Sequence, residues 1–91
     1  MPKLLTPKEI KEKLLKVPGW KQREDEISRL YVFSGFITAM AFVNHVADLA
    51  ETMDHHPDIL IQYKKVKLTL STHSAGGLTD LDFALAKKID A

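Results

Sequence analysis

The sequence predicts an α+β fold, and three observations carry that prediction. Helix-start signals of the same chemistry stand near both ends of the chain, Thr6-Pro7-Lys8-Glu9 and Thr79-Asp80-Leu81-Asp82. Between them, two pairs of short alternating segments read as hairpins. A long stretch from Phe36 to Met53 repeats apolar residues at a period near 3.6. The order is therefore helix, strand, strand, helix, strand, strand, helix (α-β-β-α-β-β-α). Hairpins separated by helices argue an antiparallel sheet, whose strand order the pattern leaves open.

Each element has a local cause. Thr6 suits the N-cap, Pro7 the first helical position, and Glu9 closes a capping box. Ile10, Leu14 and Leu15 give that helix an apolar stripe, and Pro18-Gly19 ends it. Trp20 to Arg23 and Ile27 to Ser34 form the first hairpin across Glu24-Asp25-Glu26. Leu30 and Val32 alternate there with Tyr31 and Phe33, so both faces of the strand are partly apolar. Phe36, Met40, Val43, Val46, Ala47, Ala50 and Met53 make the stripe of the long helix. Pro57 predicts its end near Asp54 to His56, since the residue before a proline avoids helical geometry. Ile59, Ile61 and Tyr63 alternate with Leu60, Gln62 and Lys64, and Val66 to His73 forms the fourth strand. After Ser74-Ala75-Gly76-Gly77 comes a last helix with Leu81, Ala84, Leu85 and Ile89 inward.

Composition narrows the functional classes. Ninety-one residues predict a single domain over 1–91. A domain of this size buries only about two-thirds of its unfolded surface, so help from oligomerisation is expected. The formal net charge of +1 gives no electrostatic case for nucleic acid or a membrane surface. Lys64-Lys65 and Lys67 are too short a run for a basic stripe. With no cysteine, disulfides, thiolate catalysis and cysteine zinc sites are excluded, which fits a reducing cytoplasm. The start from Met1 to Thr6 reads as no signal peptide, because charge and proline precede any long apolar run.

The residues able to carry chemistry gather at Glu51-Thr52-Met53-Asp54-His55-His56-Pro57. Glu51 and His55 are four apart, so they are expected on one helix face within hydrogen-bond reach. An imidazole pair titrates unperturbed near pH ~6.5 and can supply one proton donor and one acceptor. The bland reading is a solvated helix stop, where histidines oppose the helix dipole. His73, on the polar face of the fourth strand with Ser71 and Thr69, is the third candidate. His45 stands alone in mid-helix, and Asp82 is explained as the acid of the last capping box. Metal ligation by Glu51, His55, His56 and His73 is the rival reading. Against it, no HExxH motif is present and adjacent histidines on helical backbone seldom point at one ion. There is no Gly-x-Ser-x-Gly turn and no phosphate-binding glycine loop.

Glu51-x-x-x-His55-His56-Pro57, followed by Tyr63, His73 and Asp82, resembles the signature of the pterin carbinolamine dehydratases. Leu68-Thr69-Leu70-Ser71-Thr72-His73 with Gly77-Leu78, Pro18-Gly19-Trp20, and Phe33 through Phe42 extend the resemblance over nearly the whole chain. It implies a four-stranded antiparallel sheet with three helices on one face, and homodimers or homotetramers with sheets joined between subunits. It implies a hydro-lyase that dehydrates 4a-hydroxytetrahydropterin to quinonoid dihydropterin during tetrahydropterin recycling, with no metal and no organic cofactor. His55, His56 and His73 would then be catalytic, and Glu51, Asp54, Pro57, Ser71 and Thr72 would contact the pterin. Animal members of the family carry a tryptophan shortly after the His-His-Pro motif, where this chain has Ile59. Those members also bind a homeodomain transcription factor as a dimerisation cofactor, so a protein-interaction module on the same fold is the alternative.

Overall fold

The protein is described by a computed structural model covering residues 3–91; Met1 and Pro2, the first residues of the start read above, lie outside the described residues. Helix α1 runs Pro7–Leu14, then strands β1 Lys21–Arg23 and β2 Glu26–Val32, and helix α2 Phe36–Met53. Strands β3 Asp58–Gln62 and β4 Lys65–Leu70 follow, then a 3-10 turn His73–Ala75 and helix α3 Asp80–Asp90. The four strands form one antiparallel sheet in the order β1-β2-β4-β3. No helix among the described residues is long and apolar enough to cross a membrane.

The strand register explains the core. Ile27 lies opposite Leu70, Tyr31 opposite Val66, and Ile59 opposite Leu68, so these side chains stand on one face. Strand β4 is central, and its Val66, Leu68 and Leu70 are fully buried. Helices cover this face through Val46 and Ala50 of α2 and Phe83, Leu85, Ala86 and Ile89 of α3. Phe42 of α2 packs on Tyr31 and Phe33 with ring centroids 4.6 and 4.9 Å apart. The other face stays open: Leu30 and Leu60 flank Lys67 across the register, and both leucines and Val32 are exposed.

Several boundaries differ from the sequence reading, each for a local reason. Both hairpins close with two-residue loops, Glu24-Asp25 and Tyr63-Lys64, between the pairs Arg23–Glu26 and Gln62–Lys65. Glu24 and Tyr63 take positive φ, 54° and 57°, a sense that follows the twist of the flanking strands. Strand β3 therefore stops before Tyr63. Strand β4 stops at Leu70, because Thr72 bridges to Gly77 and the chain turns at His73. The buried line of α2 is rotated toward Ala39, Val46 and Ala50, leaving Phe36 and Ala47 exposed. Small side chains let that helix approach the sheet closely. Both predicted capping boxes are present, Thr6 with Glu9 and Thr79 with Asp82. The hydrogen bonds from Thr6 to the Glu9 carboxylate hold its pKa below the usual carboxylate range.

The end of α3 is clasped to the sheet by one carboxylate. Asp90 accepts from the Trp20 indole at 2.8 Å, Arg29 at 3.0 Å and the Tyr31 hydroxyl at 2.5 Å. Arg29 also lies over the Tyr31 ring, 4.7 Å from its centroid. Burial, and then the bond to Asp90, push the Tyr31 phenol well above its ordinary value. A raised folded-state pKa adds stability that is complete below the unfolded value of about 10 and is lost as pH rises through the folded value. Tyr31→Phe should therefore cost about 1 kcal/mol at neutral pH. The gap to wild type should stay constant up to about pH 10 and narrow only as pH rises beyond it, in denaturant melts followed by circular dichroism.

Candidate active site

The site begins with how α2 ends. Asp54 adopts the left-handed conformation, φ 49° and ψ 44°, and its N–H returns to the carbonyls of Ala50 and Glu51. The His55 N–H also reaches Ala50 O, at 3.0 Å, closing the helix as a Schellman-type cap. This one left-handed residue breaks the helical spacing, so Glu51 does not meet His55. His55 swings inward, and His56 takes Glu51 instead, with Nε2–H donating to Oε2 at 2.5 Å. That pair is open to solvent, with side chains 55% and 77% exposed.

His55 is buried, and its Nε2–H donates to Asp82 Oδ1 at 2.6 Å. Asp82 is fully buried in the first turn of α3. Its Oδ2 accepts from Thr79 N–H at 2.9 Å and from the Thr72 hydroxyl at 2.9 Å. Asp82 is thus a helix cap with one oxygen and a histidine partner with the other. Sequence reasoning assigned it the first task alone; the resemblance placed it in the signature but gave it no role.

The tautomer of His55 follows from this geometry. With Nε2–H committed to Asp82, the acceptor nitrogen of the neutral ring is Nδ1. Nδ1 has no protein partner, and among the described residues no buried side-chain nitrogen or oxygen lacks a hydrogen bond. It therefore lies at the part of His55 that reaches the surface, where the residue keeps 8% of its accessibility.

The remaining candidates flank His55 and Thr72 along the chain. His73 is exposed and opens the 3-10 turn directly after Thr72, which ties it by chain to the Asp82 network. The Ser71 hydroxyl donates to Asp25 O at 2.8 Å, and the Thr72 hydroxyl is turned inward. Asp54 is exposed and Pro57 half-buried at the corner that carries both histidines. Among the described residues no three His, Cys, Asp or Glu side chains gather in the manner of a metal site. A cleft of about 300 Å³ opens between α1 and α3, but its polar lining is Lys13, Lys16, Asp80 and Lys87. It contains none of the histidines. His55 and His56 stand instead where α2 ends, His55 buried and His56 open to solvent.

The sequence matches the family described as pterin 4 alpha carbinolamine dehydratase over residues 3–91. The chain belongs to that family.

The relatives align with this chain over most of their length. A candidate pterin-4-alpha-carbinolamine dehydratase of Acidobacterium capsulatum is 56% identical over 87 residues, 96% of this chain and 95% of that protein. A counterpart in Sulfurisphaera tokodaii is 50% identical over 88 residues, 97% of this chain and 95% of its own. Among solved structures, the transcriptional coactivator/pterin dehydratase from Brucella melitensis superposes with a TM-score of 0.90 at 39% identity, covering 94% of both chains. A pterin dehydratase-like protein that is a RuBisCO assembly factor of the alpha-carboxysome shares the fold, with a TM-score of 0.63 at 22% identity over 78% of this chain and 82% of its own.

Proposed function

We propose that this member of the pterin dehydratase family is a hydro-lyase that removes water from 4a-hydroxytetrahydropterin, with His55, His56 and His73 as its acid–base groups. The observation that carries the reading is the buried dyad, in which Asp82 fixes His55 as the Nε2–H tautomer with Nδ1 toward the surface. The reaction needs one proton delivered to the C4a hydroxyl and one removed from a ring nitrogen. His55 Nδ1 takes the ring proton, and the released electron pair forms the C=N bond. The C4a–O bond breaks as an exposed imidazole, His56 or His73, protonates the departing oxygen. Water leaves, quinonoid dihydropterin remains, and solvent returns the proton from base to acid. Each transfer by a positioned side chain is worth on the order of 100- to 10,000-fold.

The deciding assay generates the carbinolamine in place with an aromatic amino acid hydroxylase and follows quinonoid product. Wild type should accelerate dehydration, and the His56→Ala/His73→Ala double variant, which removes both exposed donors, should lose roughly 100-fold or more of that acceleration. A folded wild type without activity would overturn the reading.

The Brucella melitensis neighbour, named a transcriptional coactivator as well as a pterin dehydratase, favours a second reading as an interaction module. The two readings part on pterin binding. A pure scaffold would bind no pterin, and its partner affinity would not respond to the histidine substitutions.

Self-association belongs to the proposal. Strand β3 is an unpaired sheet edge in the single chain, and the open sheet face and the start of α2 expose Leu30, Val32, Leu60, Phe36 and Ile37. Unpaired edges and contiguous apolar surface are features that a soluble chain covers. Light scattering after size exclusion should give a dimer or tetramer at micromolar concentration. A monomer there would count against it.

A further inference from the structure

The network behind Asp82 has a direction, and that direction assigns a role to a residue the acid–base chemistry does not use. Leu81 N–H donates to Thr79 Oγ1 at 3.3 Å. Thr79 and Thr72 hydroxyls are 2.8 Å apart, and Thr72 Oγ1 is 2.9 Å from Asp82 Oδ2. A carboxylate oxygen only accepts, so the single Thr72 proton goes to Asp82. Thr72 must then accept from Thr79, whose own oxygen already accepts from Leu81. The chain runs one way: Leu81 N–H to Thr79, Thr79 to Thr72, Thr72 to Asp82. It meets the His55 Nε2–H at the other carboxylate oxygen.

We propose that Thr72 is a positioning residue that holds Asp82 in the rotamer presenting Oδ1 to His55, and so fixes which His55 nitrogen carries the proton. The inference rests on the reading of His55 as an acid–base group. Thr72 is 4% exposed, and Thr79 and Asp82 are fully buried, so water does not replace a lost partner. Thr72 also sits where the chain leaves β4, bridging Gly77 immediately before His73. Its hydroxyl thereby joins three separate elements: the turn that carries His73, the start of α3, and the end of α2 that carries His55. The neighbouring Thr79 N–H can hold Oδ2 alone, but one donor leaves the carboxylate free to rotate about that bond. Removing the Thr72 hydroxyl would also leave the Thr79 proton without its acceptor. That proton could then turn to Asp82 itself and draw it away from His55.

Thr72→Val and Thr72→Ala remove the hydroxyl, and Thr72→Ser keeps it. Imidazole nitrogen-15 NMR reads the His55 tautomer directly, and turnover of the carbinolamine is measured on the same samples. Wild type and Thr72→Ser should show the Nε2–H form alone. The hydroxyl-free variants should show the Nδ1–H form as well, with kcat down roughly 10-fold and KM little changed. A folded Thr72→Val or Thr72→Ala protein with the wild-type tautomer would overturn the proposal, as would loss of that tautomer in Thr72→Ser. The NMR readout needs no substrate. A tautomer shift in a protein without dehydratase activity would support the positioning role and remove the assigned reaction, so the two failures are separable.

Discussion

Replacing Asp82 by alanine is expected to destabilise the fold by about 3 kcal/mol and to abolish most dehydration activity, because one carboxylate serves both purposes. It accepts three protons, from His55, Thr72 and the Thr79 amide, in a fully buried position. Alanine leaves all three donors without a partner where water does not reach, and an unsatisfied buried group costs about 1–3 kcal/mol. The informative substitution is Asp82→Asn, which keeps the shape. Its carbonyl can still accept from Thr72 and the Thr79 amide, so the cap survives. Its amide then faces His55 and donates, which requires Nε2 to accept and moves the imidazole proton to Nδ1. The nitrogen at the surface changes from acceptor to donor. Asp82→Asn should therefore unfold within about 2 kcal/mol of wild type and lose roughly 100-fold or more in dehydration rate. Chemical denaturation and the coupled hydroxylase assay separate the two effects. If Asp82→Asn kept full rate, His55 would not be the base.

The sequence carried the fold further than it carried the site, for a reason that lies in the range of the interactions. Capping boxes, strand alternation and the helical stripe are written within a few residues, and both boxes formed as read. The expected Glu51–His55 pairing is absent because helical spacing stops at Met53, two residues before His55. A non-glycine residue in the left-handed conformation, here Asp54, leaves little local signal, and it rotated both histidines by one partner. Pro57 correctly placed the end of the helix but not its geometry. Asp82 was explained by its nearest neighbour, Thr79, which used only one of its oxygens. The partner of its other oxygen, His55, is 27 residues away in sequence. The same holds for Asp90, whose partners Trp20, Arg29 and Tyr31 come from β2 and the segment before β1. The available hint was the resemblance, which placed Asp82 in register with the histidines without a capping argument.

His56 and His73 should behave in the opposite way to His55. The His56–Glu51 pair is exposed on both sides, and an ion pair of that kind contributes about 0–1 kcal/mol. His73 is exposed with no side-chain partner among the described residues. His56→Ala and His73→Ala should thus keep the wild-type melting curve, while each lowers dehydration by roughly 100-fold if it supplies a proton in the transition state. His55→Ala should instead lose stability as well, by about 3 kcal/mol, since Asp82 is left buried without its cation-capable partner. The double variant distinguishes the two exposed donors. If either imidazole can protonate the departing hydroxyl, the single losses are small and His56→Ala/His73→Ala falls far below their product. If one alone is the acid, the double variant matches the more damaging single. If both singles and the double keep full rate, proton delivery does not come from this cluster. The rate of His55→Ala would then decide whether any imidazole of the cluster takes part in the reaction.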